Sequence, residues 1–209
     1  MVAVFVAITL ALGLEPVRQL DLAVRDLADA HRPYAADLIA QNLNRLGSGG
    51  LLTSACLVLA AVIGLRRRSW WPLAVVVAAF ALTGAVIQPL KLILDRPAPH
   101  APMPDDVAVR LFAQPDGLSF PSGHAVNTVV WYAVIGLLLA PWLTRTAERW
   151  LRLAPPVIVT LAGTYLGYHW LTDMLAGLAL AVPLSHVLTR LPWPIAAGDS
   201  DAQDFDARG

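Results

Sequence analysis

The chain has 209 residues, a formal net charge of zero, 57% hydrophobic residues and only 14% charged ones, against about 25% charged in an ordinary soluble domain. The neutral balance supplies no basic field for nucleic acid, and the single cysteine, Cys56, excludes an internal disulfide and a thiolate zinc cluster. The length suits one transmembrane domain over residues 1–195, with 196–209, small and acidic, read as a disordered tail.

The apolar residues fall in six runs, at 1–14, 47–65, 71–94, 125–143, 153–168 and 171–191. The predicted fold is therefore all-α, a polytopic membrane helical bundle of about six transmembrane helices. The first run is shorter than the ~20 residues of a spanning helix and lacks the positive flank of a signal peptide. Either its helix starts before Met1, or it lies tilted and shallow. Residues 15–45 carry Leu20, Val24, Leu27, Leu38, Ile39 and Leu43 at helical spacing with charges between them. That pattern predicts amphipathic helices on the outer membrane surface.

Arg66, Arg67 and Arg68 separate the second and third runs, Arg145, Arg149 and Arg152 the fourth and fifth, and Arg190 closes the last. Placing these on one side marks that side as cytoplasmic. Residues 15–45, 95–124 and the turn at His169 then face away from the cytoplasm. The tryptophans lie mostly near the ends of the predicted helices, as an aromatic belt would, and Cys56 is assigned to packing.

Three stretches hold polar residues that a lipid-embedded bundle carries at a cost. Lys91 sits near the outer end of the third helix, ahead of Pro97 and Pro99, which end it. Structure alone explains a snorkelling lysine there as well as function does. Phe120-Pro121-Ser122-Gly123-His124 opens the fourth helix. A serine cap followed by glycine makes a helix N-terminus whose free N–H groups hold an anion, or else an ordinary cap with an incidental histidine. His169 and Asp173 are four residues apart and, if helical, share one face. An aspartate on one imidazole nitrogen fixes the tautomer and leaves the other nitrogen free as a nucleophile. A buried carboxylate in a membrane segment is functional by default. No glycine-rich nucleotide loop and no carboxylate cluster at metal-ligand spacing accompanies them, so no cofactor is expected.

In the order and spacing of these motifs the chain resembles the type 2 phosphatidic acid phosphatase family of six-helix membrane lipid phosphatases. The resemblance runs from the second helix to the sixth, and Pro121-Ser122-Gly123-His124 copies the second motif intact. It implies that Lys91, Ser122 and Gly123 bind phosphate and that His124 protonates the leaving group. It also implies that His169 is the nucleophile and Asp173 the carboxylate that orients it. Two arginines of the family pattern are missing: Ala98 stands at one position and Gly163 at the other, while Arg96 matches an earlier arginine of the first motif. Arg96 is taken with the phosphate-binding set, and Arg96, His100 and Arg110 are the candidates to replace the lost guanidiniums.

The implied activity is metal-independent hydrolysis of a lipid phosphomonoester or diphosphate through a phosphohistidine, outside the cytoplasm. The partners are then a lipid phosphate and the membrane, without nucleic acid. A phosphotransferase using the same histidine, and a lipid binder without catalysis, are the alternatives.

Overall fold

All six apolar runs lie largely in helices in the computed structural model, which describes residues 1–113 and 117–194. The expected tail at 196–209 lies outside these. Helix α1 (Val2–Ala11) meets α2 (Glu15–Ala30) at 90°. Helix α3 (Tyr34–Asn44) runs through a 3-10 turn, Arg45–Gly47, into α4 (Gly49–Arg67). Then come α5 (Trp71–Leu94), a short α6 (Asp105–Ala108), α7 (Gly123–Leu138), α8 (Arg145–Tyr165) and α9 (Leu171–Arg190).

The molecule is an all-α membrane helical bundle. By length and composition three helices, α4, α5 and α9, are long and apolar enough to cross a membrane, or four spans if α1 and α2 count as one broken span. Helix α7 is apolar but has 16 residues, and α1 has 10. Helix α8 differs from its predicted start. It begins at Arg145, so the charges placed in a loop belong to its first turns. Thr144 accepts a hydrogen bond from the Ala147 N–H at 3.2 Å, and Arg152 pairs with Glu148 one turn back at 2.7 Å. A side-chain cap and an i,i+4 ion pair extend a helix through polar sequence that hydropathy passes over.

Helix α7 is the central element, in contact with α4, α5, α8 and α9. Its Val126, Val130, Trp131 and Leu138 form one core with Val75, Val76 and Ala79 of α5, Cys56 and Ala60 of α4, and Ala176 and Ala181 of α9. Cys56 is thus a packing residue. The tryptophans divide: Trp70, Trp142 and Trp150 are exposed, but Trp131 and Trp170 are buried. Trp170 satisfies its indole N–H on the Pro97 carbonyl at 3.0 Å, as a buried indole must.

Contacts across the helix ends separate two faces of the bundle. Arg67 lies over the Trp142 ring at 5.2 Å, and Trp71 meets Trp193 at 6.3 Å. The α4–α5 turn, the α7–α8 turn and the end of α9 therefore share one end. The other end is capped by α2, which packs on α8 and α9, and by the loop that contains α6. Arg25 of α2 ties the two together through Asp105 at 2.7 Å, and this pairing holds the Asp105 carboxyl below its usual range.

Gly177 lets α9 pass against the start of α7. A Cβ there would stand 2.7 Å from the Ser122 carbonyl oxygen and 2.9 Å from the Ala125 Cβ. Gly177→Ala is expected to force the helices apart and lower stability by about 1–3 kcal/mol, the usual cost of overpacking. Thermal unfolding in detergent reads the loss, and an unchanged midpoint would show that the helices shift freely.

Candidate active site

Lys91 lies in the last turn of α5, which ends at Asp95 in a left-handed conformation (φ 40°). The lysine ammonium donates to the Leu118 carbonyl, and its Cε is 3.8 Å from where a Gly123 Cβ would be. It therefore lies over the N-terminus of α7. Ser122 caps that helix, accepting from the Ala125 N–H at 3.4 Å. The Gly123 and His124 N–H groups, first in the helix, have no acceptor within it, which is the condition for anion binding.

His124 and His169 face each other here, with ring centroids 5.9 Å apart and planes at 58°. They come from separate elements. His169 does not share a helical face with Asp173, because α8 ends at Tyr165 and α9 begins at Leu171. Gly167, at φ +66°, turns the chain between them, and the His100 ring fills the space where its Cβ would be. Asp173, at the third position of α9, instead reaches back and accepts from the Trp170 N–H at 3.1 Å. This cap brings the carboxylate to the preceding turn.

The His169 Nδ1 is 3.7 Å from the Asp173 Oδ2, beyond hydrogen-bond length, and 3.3 Å from the Ser119 hydroxyl. Ser119 donates to the same Oδ2 at 2.6 Å. The hydroxyl thus relays between ring and carboxylate. With Nδ1 as donor, Nε2 carries the lone pair. Ser119 was missed in the sequence because it lies one residue before the motif that begins at Phe120.

Arg96 departs from the role of phosphate ligand. It is fully buried, and all five of its N–H donors are engaged. Nη1 donates to Asp173 Oδ1 and to Thr172 Oγ1 at 2.7 Å. Nη2 donates to Asp21 Oδ2 at 2.7 Å and to the Val109 carbonyl at 2.9 Å, and Nε donates to that carbonyl at 3.2 Å. Asp21 in turn accepts from the Thr172 N–H at 3.0 Å. One guanidinium therefore joins two buried carboxylates, one on α2 and one on α9, with no donor left for substrate. Asp21 carried a signal. It stands four residues after Val17 and three before Val24, a charge on the apolar stripe of α2.

The other two proposed replacements also point elsewhere. His100 Nε2 is 3.0 Å from Asp29, and Arg110 is 3.4 Å from Asp106. At Gly163, a Cβ would meet Asn44 Oδ1 at 3.2 Å and the Met174 methyl at 3.3 Å. The buried Asn44 occupies space that a longer side chain at 163 would need.

A cation, a helix N-terminus and two facing histidines, one backed by a hydroxyl and a carboxylate, converge at the end of the bundle opposite the arginine-rich turns. Residues 71–196, more than half of the chain and including every one of these groups, match the PAP2 superfamily. The chain belongs to the PAP2 superfamily. With relatives named as phosphatases, it is a phosphoric ester hydrolase by class. Among relatives of this PAP2 chain, phosphatidylglycerophosphatase B of Bacillus subtilis is 26% identical over 187 residues, covering 86% of this chain and 87% of that protein. Decaprenylphosphoryl-5-phosphoribose phosphatase of Mycolicibacterium smegmatis is 33% identical over 167 residues, covering 72% and 84%. The crystal structure of a transmembrane PAP2-type phosphatidylglycerolphosphate phosphatase from Bacillus subtilis superposes with a TM-score of 0.75, covering 99% of this chain and 94% of that one at 22% identity. That likeness is one of fold.

Proposed function

We propose that this PAP2 protein is an integral-membrane lipid phosphatase that works without a metal, through a phosphohistidine at His169, on the extracytoplasmic face of the cell membrane. The observation that carries the reading is the pair His124 and His169, with ring centroids 5.9 Å apart beside the free N-terminus of α7. Two histidines across an anion site supply the nucleophile and the acid that a two-step phosphoryl transfer needs. The names of both relatives support a lipid substrate, and the gathering of arginines at the far end of the bundle supports the orientation.

In this reading the phosphate lies against the Gly123 and His124 N–H groups with the Lys91 ammonium beside it, and Ser122 holds the helix end in place. The His169 Nε2 attacks phosphorus, a P–N bond forms and the P–O ester bond breaks. His124 passes its proton to the departing oxygen. Asp173, through Ser119, stabilises the charge that appears on the His169 ring. Water then attacks the phosphohistidine with His124 as base, releasing phosphate and restoring His169. Arg96 touches no substrate here and acts by fixing the Asp173 carboxylate.

The test is phosphate release by the purified chain in detergent from phosphatidate, phosphatidylglycerophosphate and a polyprenyl phosphate. Turnover on at least one of these is expected to be the same with EDTA as with magnesium. A strict magnesium requirement would overturn the histidine route.

A further inference from the structure

A groove of about 630 Å³ opens beside Lys91 and Gly123 and descends between α4, α5 and α7. On α5 its wall steps down from Lys91 through Gln88 and Gly84, and on α7 from Gly123 through Asn127 to Trp131. Thr53 and Ser54 line it on α4, about one turn deeper than Gly49, which lies against Asn127. Side chains at Gly50 and Gly84 would meet nothing within 4 Å, so these two glycines leave the groove wide.

The polar groups in this groove have unused capacity. Among the described residues, the Gln88 amide and the Thr53 and Ser54 hydroxyls make no hydrogen bond. Asn127 directs Nδ2 to the Gly47 carbonyl at 3.5 Å, closely over Gly49, and its Oδ1 has no donor among the described residues. Polar side chains in membrane-spanning helices are costly unless something satisfies them, and they mark substrate paths. Amides and hydroxyls offer both donors and acceptors, which is what a ligand hydroxyl requires. Lys91 is the one cation lining the groove among the described residues, so the chemistry suits a neutral hydroxylated group and not a second phosphate.

Depth fixes the position of those hydroxyls relative to phosphorus. At 1.5 Å rise per residue, Gln88 lies about 4.5 Å below Lys91, and Asn127 about 6 Å below Gly123. An alcohol carbon chain carrying the phosphate places its next hydroxyls at about that distance.

We propose that this groove is a hydroxyl-binding subsite, in which Gln88 and Asn127 recognise a glycerol- or sugar-type alcohol esterified to the phosphate. The inference rests on the phosphatase reading above and names the class of leaving group for it.

Two single-chain lipid phosphates of matched length test it: a monoacylglycerol 3-phosphate, with a free hydroxyl next to the phosphate-bearing carbon, and a plain alkyl phosphate. The purified chain in detergent is expected to prefer the first in kcat/KM by about tenfold or more. Gln88→Leu and Asn127→Leu are each expected to reduce that preference about 5- to 10-fold, the worth of one hydrogen bond, mainly through KM of the hydroxylated lipid. They lie on different helices, so misfolding of one leaves the other informative, and monodisperse elution shows which is folded. No preference in the unaltered chain, or equal losses on both lipids, would overturn the subsite. His169→Ala separates the two levels. If it silences both lipids while the preference ignores Gln88 and Asn127, only the subsite fails; if it leaves both reactions intact, the phosphohistidine route at His169 fails.

Discussion

His169→Ala is expected to lower kcat on every lipid phosphate the protein accepts by roughly 10³-fold or more, the scale on which loss of a covalent nucleophile is felt. The reason lies in the geometry. His169 Nδ1 faces the Ser119 hydroxyl at 3.3 Å and Asp173 Oδ2 at 3.7 Å, so its second nitrogen is the one left free as a nucleophile. Rapid acid-free quenching with labelled lipid should trap a phosphoenzyme that is stable in base and labile in acid. In His169→Ala that species should be absent. Ser119→Ala should keep the phosphoenzyme but slow its formation, because Asp173 then lies too far from the ring to hold it directly. A phosphoenzyme surviving in His169→Ala would place the nucleophile elsewhere.

The second large effect is on stability. Arg96→Met is expected to destabilise the fold by about 3–5 kcal/mol, because removing one partner of a buried ion pair leaves uncompensated charge. Here two carboxylates lose their partner, Asp21 on α2 and Asp173 on α9, both buried with Arg96. Lysine is a poor substitute, since its single ammonium cannot copy five donors in a planar fork. Asp21→Asn in the Arg96→Met background should recover part of the loss by removing one stranded charge. Thermal unfolding in detergent measures all three. A phosphate ligand would behave otherwise: its loss would raise KM and leave the unfolding midpoint in place, and Asp21 would not be coupled to it.

This role for Arg96 also bears on the two absent arginines. With Ala98 exposed and the space beside Gly163 taken by Asn44, the proposed mechanism leaves Lys91 and the α7 N-terminus to hold the phosphate. A pocket with that little fixed positive charge depends more on the rest of the substrate for its selectivity, which is where the groove beside Lys91 enters.

The helices, their order and the motif residues at the site were legible in the chain because each rests on local pattern. Long apolar runs mark α4, α5 and α9, and Ser-Gly before an apolar run marks the cap of α7. Lys91, His124, His169 and Asp173 were singled out because polar groups in apolar sequence need a reason. Local pattern erred where a cap or an ion pair extended a helix, as at Arg145, and where a glycine turn broke one, as at Gly167. Pairings between distant segments were beyond it. Arg96 and Asp21 are 75 residues apart, and Ser119 and Asp173 are 54 apart. No periodicity connects them. Whether Arg96 holds phosphate or a buried carboxylate depends on which side chains the folded bundle brings within 3 Å of its donors, a property of packing that composition and spacing do not encode.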